Sequence, residues 1–364
     1  MKFTIHKEDI IATLSVISST AGDISKKYSL DKDGRLEKQK NGKLYEGFVE
    51  TVKIGSITDL VQVVESTDSH QALAYGVTQH ERARIFTAKR LKAGATDETG
   101  LPTISRTRDF FAYPTGPAVF MIDHDGGMQS DELLPALYEL IPGLRDAPHL
   151  VRPSASSFIY KGDEQLKGLS GLRVLVPVKS GSDIPRLAEV LQKRAWLLGF
   201  GVIKISKNGS LLVGNQLFDP MVYQPERLDY CGGAYVEPPL IQRLPKAKIF
   251  NPDADPLDTA DTIPDLSIVE ESKFQALVAD AKKAARPEAE ATRDRWIEDH
   301  VQADLADDPE ADPEQLRGIY RAAVKNGRLF ADYGITLDDG AVVTVGELLD
   351  DPGKYHGRRC CDPL

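Results

Sequence analysis

Val119-Phe120-Met121-Ile122 runs straight into Asp123-His124-Asp125-Gly126-Gly127. The four large apolar residues, rich in β-formers, read as a short buried strand. Successive strand side chains point to opposite faces, so Asp123 and Asp125 leave the strand end on one side and His124 on the other. Two carboxylates that close repel each other, and a hard divalent cation such as Mg²⁺ or Mn²⁺ relieves the repulsion. The plainer alternative is a strand that ends in an Asp-Gly turn.

The rest of the chain supplies the setting for that strand. DELLPALYELIPGL reads as a helix, and HLVRPSASSFIY as a strand opening into a serine-rich turn. GLRVLVPVKSG is a second buried strand. SDIPRLAEVLQKRAWLLGFG is the clearest helix, with Ile184, Leu187, Ala188, Leu191, Ala195 and Leu198 at helical spacing. GVIKIS and SLLVGNQLFDP follow as strands, the latter finishing on Asp219. Nearer the start, KFTIHK reads as a strand, EDIIATLSVISS as a helix, DKDG as a hairpin tip, and TDLVQVVES and DSHQALAYG as two short helices. This order implies an α+β domain, with helices packed on a mainly antiparallel or mixed sheet.

Residues 251–268, NPDADPLDTADTIPD and its flank, are Pro/Asp-rich and read as a linker between a domain at 1–250 and a mainly helical region at 269–364. Helices are expected over 270–300 and 314–326. Charge divides at the same place. Residues 251–364 hold 13 Lys and Arg against 26 Asp and Glu, whereas residues 1–250 hold 32 basic and 29 acidic residues. The overall charge of −10 therefore belongs to the C-terminal region. The first region is mildly basic and concentrates Arg82, Arg84, Lys89, Arg90, Lys92, Arg106 and Arg108 ahead of the aspartate strand. With Phe86 the lone aromatic residue among them and no aromatic interleaving beyond it, these are as readily a solvated face as a nucleic-acid surface. Arg317, Arg321, Lys325 and Arg328 form a second candidate face, at helical spacing.

Several classes are excluded or disfavoured. No run of about 18 apolar residues exists for a membrane span. Cys231, Cys360 and Cys361 make neither a disulfide framework nor a zinc site, which suits a reducing cytoplasm. No P-loop or dinucleotide-binding glycine motif is present.

Asp123, Asp125 and Asp219 together are the minimal carboxylate set for a two-metal centre, which activates an attacking hydroxyl and neutralises a triphosphate. Arg152, Ser154, Ser156, Ser157 and Arg173 lie between them in sequence and offer guanidinium and hydroxyl groups to phosphate oxygens.

VFMIDHDG resembles the first motif of the archaeo-eukaryotic primase superfamily, and LFDPMVYQPERLDYCGGA resembles the surroundings of its third-motif aspartate. SASSFIY, GLRVLVPVKSGSDIPRL, RAWLLGFGVIKIS and PERLDY resemble the primase-polymerase domains of phage and mobile-element primase–helicase proteins, over roughly residues 100–245. The resemblance implies a catalytic core with an α/β portion and an RRM-like portion, followed by a helical accessory region. It also implies DNA priming or extension on a single-stranded template from dNTPs or NTPs, in replication of a phage, plasmid or mobile element. Asp123, Asp125 and Asp219 would hold Mg²⁺ or Mn²⁺, with no zinc. A helicase, in the same chain or separate, would be a partner, and the end near Leu364 would suit a fragment of such a protein. The family's second motif has a serine and a histidine. Here the serines are present, but Arg173 stands where the histidine is expected. Arginine can hold a phosphate yet cannot exchange a proton near neutral pH. The swap leaves open a DNA-binding replication initiator that has lost synthesis. A nucleotide-sugar glycosyltransferase, which also uses Asp-x-Asp after an apolar strand, is a more distant alternative.

Overall fold

Strand Ala118–His124 is buried along its whole length, and its alternation decides what packs on each side. Ala118, Phe120 and Ile122 join one core with helices Ser130–Leu140 and Ile184–Leu197, through Leu133, Leu137, Leu187 and Leu191. Val119 and Met121 join another core with Ile57, Leu60 and Val64 of helix Ile57–Ser66. The sheet is therefore covered on both faces at this strand, which is why the sequence there is apolar without alternation. The structure, a computed structural model, describes residues 10–39, 42–326, 334–337, 341–356, 358 and 360–361.

The fold is α+β, built on a nine-stranded mixed sheet. From one edge the order is Lys248–Phe250, His149–Pro153, Leu172–Val178, Ala118–His124, Ala12–Ser19, Glu46–Ile54, Arg82–Phe86 and Thr103–Ser105, with Gln71–Ala74 also paired to Ala12–Ser19. Pairing is antiparallel except at Thr13–Ala118 and between Arg82–Phe86 and Thr103–Ser105. Strand Leu172–Val178 sits in register with its neighbour so that Arg173 faces Asp123 on one side and Arg152 on the other. Directly opposed residues share a face of the sheet, so the three form a row on the Val119–Met121 side. Gly171 permits the approach of these strand ends, because a Cβ there would collide with the His124 carbonyl oxygen.

Two expected helices are strands instead. The segment expected to be helical over 8–19 contains strand Ala12–Ser19, and the one over 68–76 contains Gln71–Ala74. Thr13, Val16 and Ile17 are β-branched and fit a pleated surface better than a helix. The two strands also pair with each other, Ile17 opposite Ala72. The strand expected over 2–7 lies outside the described residues. The hairpin at DKDG is present as Lys27–Leu30 and Leu36–Lys38.

The chain divides into two compact units. One comprises Met1–Phe200 and Asn215–Glu271 and holds the large sheet. Within it, the Pro/Asp-rich stretch carries a short helix, Thr259–Thr262, capped by Asp258, and buries Leu257 and Ile263 in the core. The other comprises Gly201–Gly214 and Ser272–Leu364. Its core is Ile297 and Val301 of helix Ile268–Asp307 against Tyr320 of helix Pro313–Asn326, with Trp296, Leu305 and Leu316 around them. The C-terminal region is thus helical, as the sequence leads one to expect. Among the described residues no helix is long and apolar enough to cross a membrane.

Candidate metal centre

Asp123 occupies the last turn of pleat on the Val119–Met121 face and is buried, while Asp125, just beyond the strand, is exposed. Asp219 arrives from a distance, and three contacts explain its position. The buried Asn215 side chain accepts from the backbone N–H groups of Leu217 and Phe218, each at 2.8 Å, which curls the chain after strand Leu211–Asn215. His124, on the opposite face of the sheet as alternation requires, hydrogen-bonds through Nδ1 to the Leu217 carbonyl at 3.0 Å. The Asp219 N–H then donates to the Asp123 carbonyl at 2.8 Å. Asp219 is thus not a strand end. It caps the short 3₁₀ turn Pro220–Val222, accepting from the Met221 N–H at 2.9 Å.

One carboxylate oxygen from each of Asp123, Asp125 and Asp219 lies within 4.8 Å of the others. Oxygens sharing one Mg²⁺ at about 2.1 Å stand at most about 4.2 Å apart. Carboxylate oxygens gathered within 4.8 Å can share one such ion or flank a pair about 3.5–4 Å apart. The donor set, all carboxylate, is that of a hard divalent cation.

Two cations stand at the same place. Arg173 donates through Nη1 to Asp123 Oδ1 and lies 3.9 Å from Asp125 Oδ1. Its Nε lies 3.5 Å from Oδ1 of Asp229, a buried carboxylate. Tyr75 donates its hydroxyl to the other oxygen of Asp229 at 2.6 Å, and burial together with that carboxylate pushes the phenol far above its ordinary pKa. Lys26 donates to the Ser156 hydroxyl at 3.2 Å. Burial and then the charge of Arg173 lower the pKa of its ammonium, while Asp125 acts the other way. Four carboxylates thus face two cations, an excess of two negative charges that one divalent ion balances. The residues present fit a metal, with Arg173 as its competitor for Asp123.

The serine segment divides. Ser156 turns its hydroxyl toward Lys26, whereas Ser154 and Ser157 bond each other at 3.2 Å and Ser157 accepts from the Ser170 N–H at 3.0 Å. The latter pair holds the turn. Arg152 points along the same face as Arg173 but donates through Nη2 to the Cys231 carbonyl at 2.6 Å.

Arg106 donates to the Glu226 carbonyl at 2.9 Å, and Arg108 reaches the Glu226 carboxylate at 3.5 Å. Both therefore anchor the loop that leads to Asp229. Arg84 and Arg90 both grip Glu46, and the Arg84 guanidinium lies 4.3 Å from the centre of the Phe48 ring. In the second unit, Arg317 pairs with Glu298 at 2.9 Å and Glu314 at 2.7 Å, and Arg321 is exposed. The side chain of Lys325, and Arg328 altogether, lie outside the described residues.

Lys26, Tyr75 and Asp229 were not among the residues singled out from the sequence. Asp229 lies within PERLDY, so its neighbourhood was marked but its role was not. Nothing in the spacing of Lys26 or Tyr75 announces the site. Comparisons with protein-family models, curated proteins and solved structures gave no match to this chain.

Proposed function

We propose that the protein is a nucleotidyltransferase, a DNA primase-polymerase that synthesises or extends primers on a single-stranded template from dNTPs or NTPs and releases pyrophosphate. The observation that carries this reading is the convergence of Asp123, Asp125 and Asp219 within 4.8 Å beside Arg173 and Lys26. Carboxylates for cations and fixed positive charge for phosphate are the two requirements of in-line phosphoryl chemistry. Mg²⁺ or Mn²⁺ held by the three aspartates would activate the attacking hydroxyl and neutralise charge on the leaving pyrophosphate.

The chain's own part is positioning. Arg173 carries a permanent, planar charge that suits two phosphate oxygens at once. Lys26 and the Ser156 hydroxyl, already bonded to each other, add an ammonium and a neutral donor at the same rim. Asp229 and Tyr75 hold Arg173 from behind. In this reading the large sheet and its covering helices are the α/β portion and its RRM-like companion, the helical region assists template or first-nucleotide binding, and a replicative helicase acts in the same chain or in a separate one. The setting is the cytoplasm, during replication of a phage, plasmid or mobile element.

The test is primer synthesis on random and homopolymeric single strands, with each metal and each nucleotide pool. Changing Asp123 and Asp125 together to Ala should abolish metal-dependent incorporation. Full activity in that double variant would remove this mechanism. One observation favours a second reading, a DNA-binding initiator without synthesis: Asp123 already has a cationic partner in Arg173. That reading expects salt-dependent DNA binding and no product under any condition, so extended primers in the same assay decide between the two.

A further inference from the structure

A cavity of about 250 Å³ opens on the Val119–Met121 side of the sheet, lined among others by Val64, Glu65, Thr67, Arg152, Cys231 and Lys246. Arg152 is only 8% exposed. Its Nη2 is spent on the Cys231 carbonyl, and its buried Nη1 has no hydrogen-bond partner among the described residues. Arg152 lines the cavity with a charge that no described carboxylate pairs, and a fixed guanidinium charge beside a cavity favours an oxyanion in it. We propose that this cavity is a second anion site, separate from the aspartate cluster, and that it takes the phosphate group of a small phosphorylated molecule.

The lining supports an anion. The Cys231 thiol is neutral, because burial and then Asp229 push its pKa up. The one carboxylate, Glu65, is exposed and accepts from the Ala247 N–H at 3.2 Å. Lys246 is exposed and lines the same cavity, so a second cation is within the reach of its flexible stem. Two cations favour a dianion over a single carboxylate. Val64, Leu244 and Ala247 give the remaining wall an apolar character suited to a small organic body. At about 30 Å³ per water the cavity has room for roughly eight, which matches a phosphate with a few further atoms.

Occupancy there bears on the first site. Arg152 holds the Cys231 carbonyl, Cys231 follows Asp229 by two residues, and Asp229 pairs with Arg173. An anion drawing on Arg152 therefore pulls on the segment that steadies Arg173. The inference does not rest on nucleotidyl transfer, because it is tested by binding alone.

The experiment titrates inorganic phosphate into the full chain without divalent ions, read by calorimetry and by phosphorus line broadening. Lys246→Glu should weaken binding about threefold or more, and Arg152→Gln about tenfold or more. Glycerol phosphate and a nucleoside monophosphate in place of phosphate separate the sources. Tighter binding of either identifies an organic phosphate, and equal binding identifies the free ion. No binding by the wild type, or equal binding in Lys246→Glu, would overturn the proposal, the latter by placing phosphate elsewhere than this cavity. Lys246 is exposed, so its variant carries the test even where Arg152→Gln fails to fold.

Discussion

Arg173 is the residue on which the properties of the centre turn. It stands opposite Asp123 in the sheet, bonds it, and reaches Asp229 with its other edge. Its side chain is 12% exposed and that of Asp123 is 9% exposed, so solvent screens the pair little. Removing one member of such a pair leaves an uncompensated buried charge and costs on the order of 3–5 kcal/mol. Arg173→Gln should therefore lower stability by about that amount. Because the same substitution removes the competitor for Asp123, Mn²⁺ should raise the melting temperature of the variant more than that of the wild type. A thermal shift series with and without millimolar Mn²⁺ measures both effects, and an equal rise in the two proteins would disprove the competition.

Among the elements, strand His149–Pro153 shows how burial sets a pH response. His149 at its head donates toward the Ala147 carbonyl at 2.9 Å, meets the Tyr138 hydroxyl at 3.0 Å and stacks on Phe250 with ring centres 4.7 Å apart. Burial lowers its pKa, and the hydrogen bond to Ala147 offsets part of that. The unfolded chain, with a histidine pKa of about 6.5, therefore takes up the proton first as pH falls. Stability from this group is full above pH 6.5 and declines below it, down to the folded value. Denaturant midpoints measured from pH 7.5 to 5.5 should fall in the wild type and fall less in His149→Gln. Parallel curves would assign the acid sensitivity elsewhere. Elements also mark where the sequence was legible. Strands Ala118–His124 and Leu172–Val178 and helix Ile184–Leu197 follow their apolar periods, and the aspartates were visible because they interrupt or follow such runs. Ala12–Ser19 and Gln71–Ala74 carry short apolar runs that suit either period, and their partners distant in sequence make them strands. Leu73 pairs with Asp229, and Lys26 meets Ser156 130 residues away, contacts that no local pattern announces. The basic segment meets aromatic rings at Phe86, beside Arg84 and Arg90, and on the adjacent strand, where Phe48 opposes Arg84.

At the scale of the whole molecule, the division into two compact units predicts separable stability. Ile297 is 3% exposed in the small core of the second unit. Ile297→Ala should cost that core about 2–5 kcal/mol. Native-state hydrogen exchange should then quicken over 296–320 and stay unchanged over 118–124 and 172–178. Acceleration in both sets would mean that the units unfold as one. A different consequence follows from the cation already seated at the aspartates. A site made only of carboxylates would oppose its own formation until an ion arrived, tying assembly to supply. Here the chain brings a counter-charge of its own in Arg173, so on the proposed reading synthesis of the protein and loading of the centre would be separate events. On the proposed metal-binding reading, the finished fold would be a reserve that waits for its ion, and cation concentration in the surroundings would set how much of that reserve is in service.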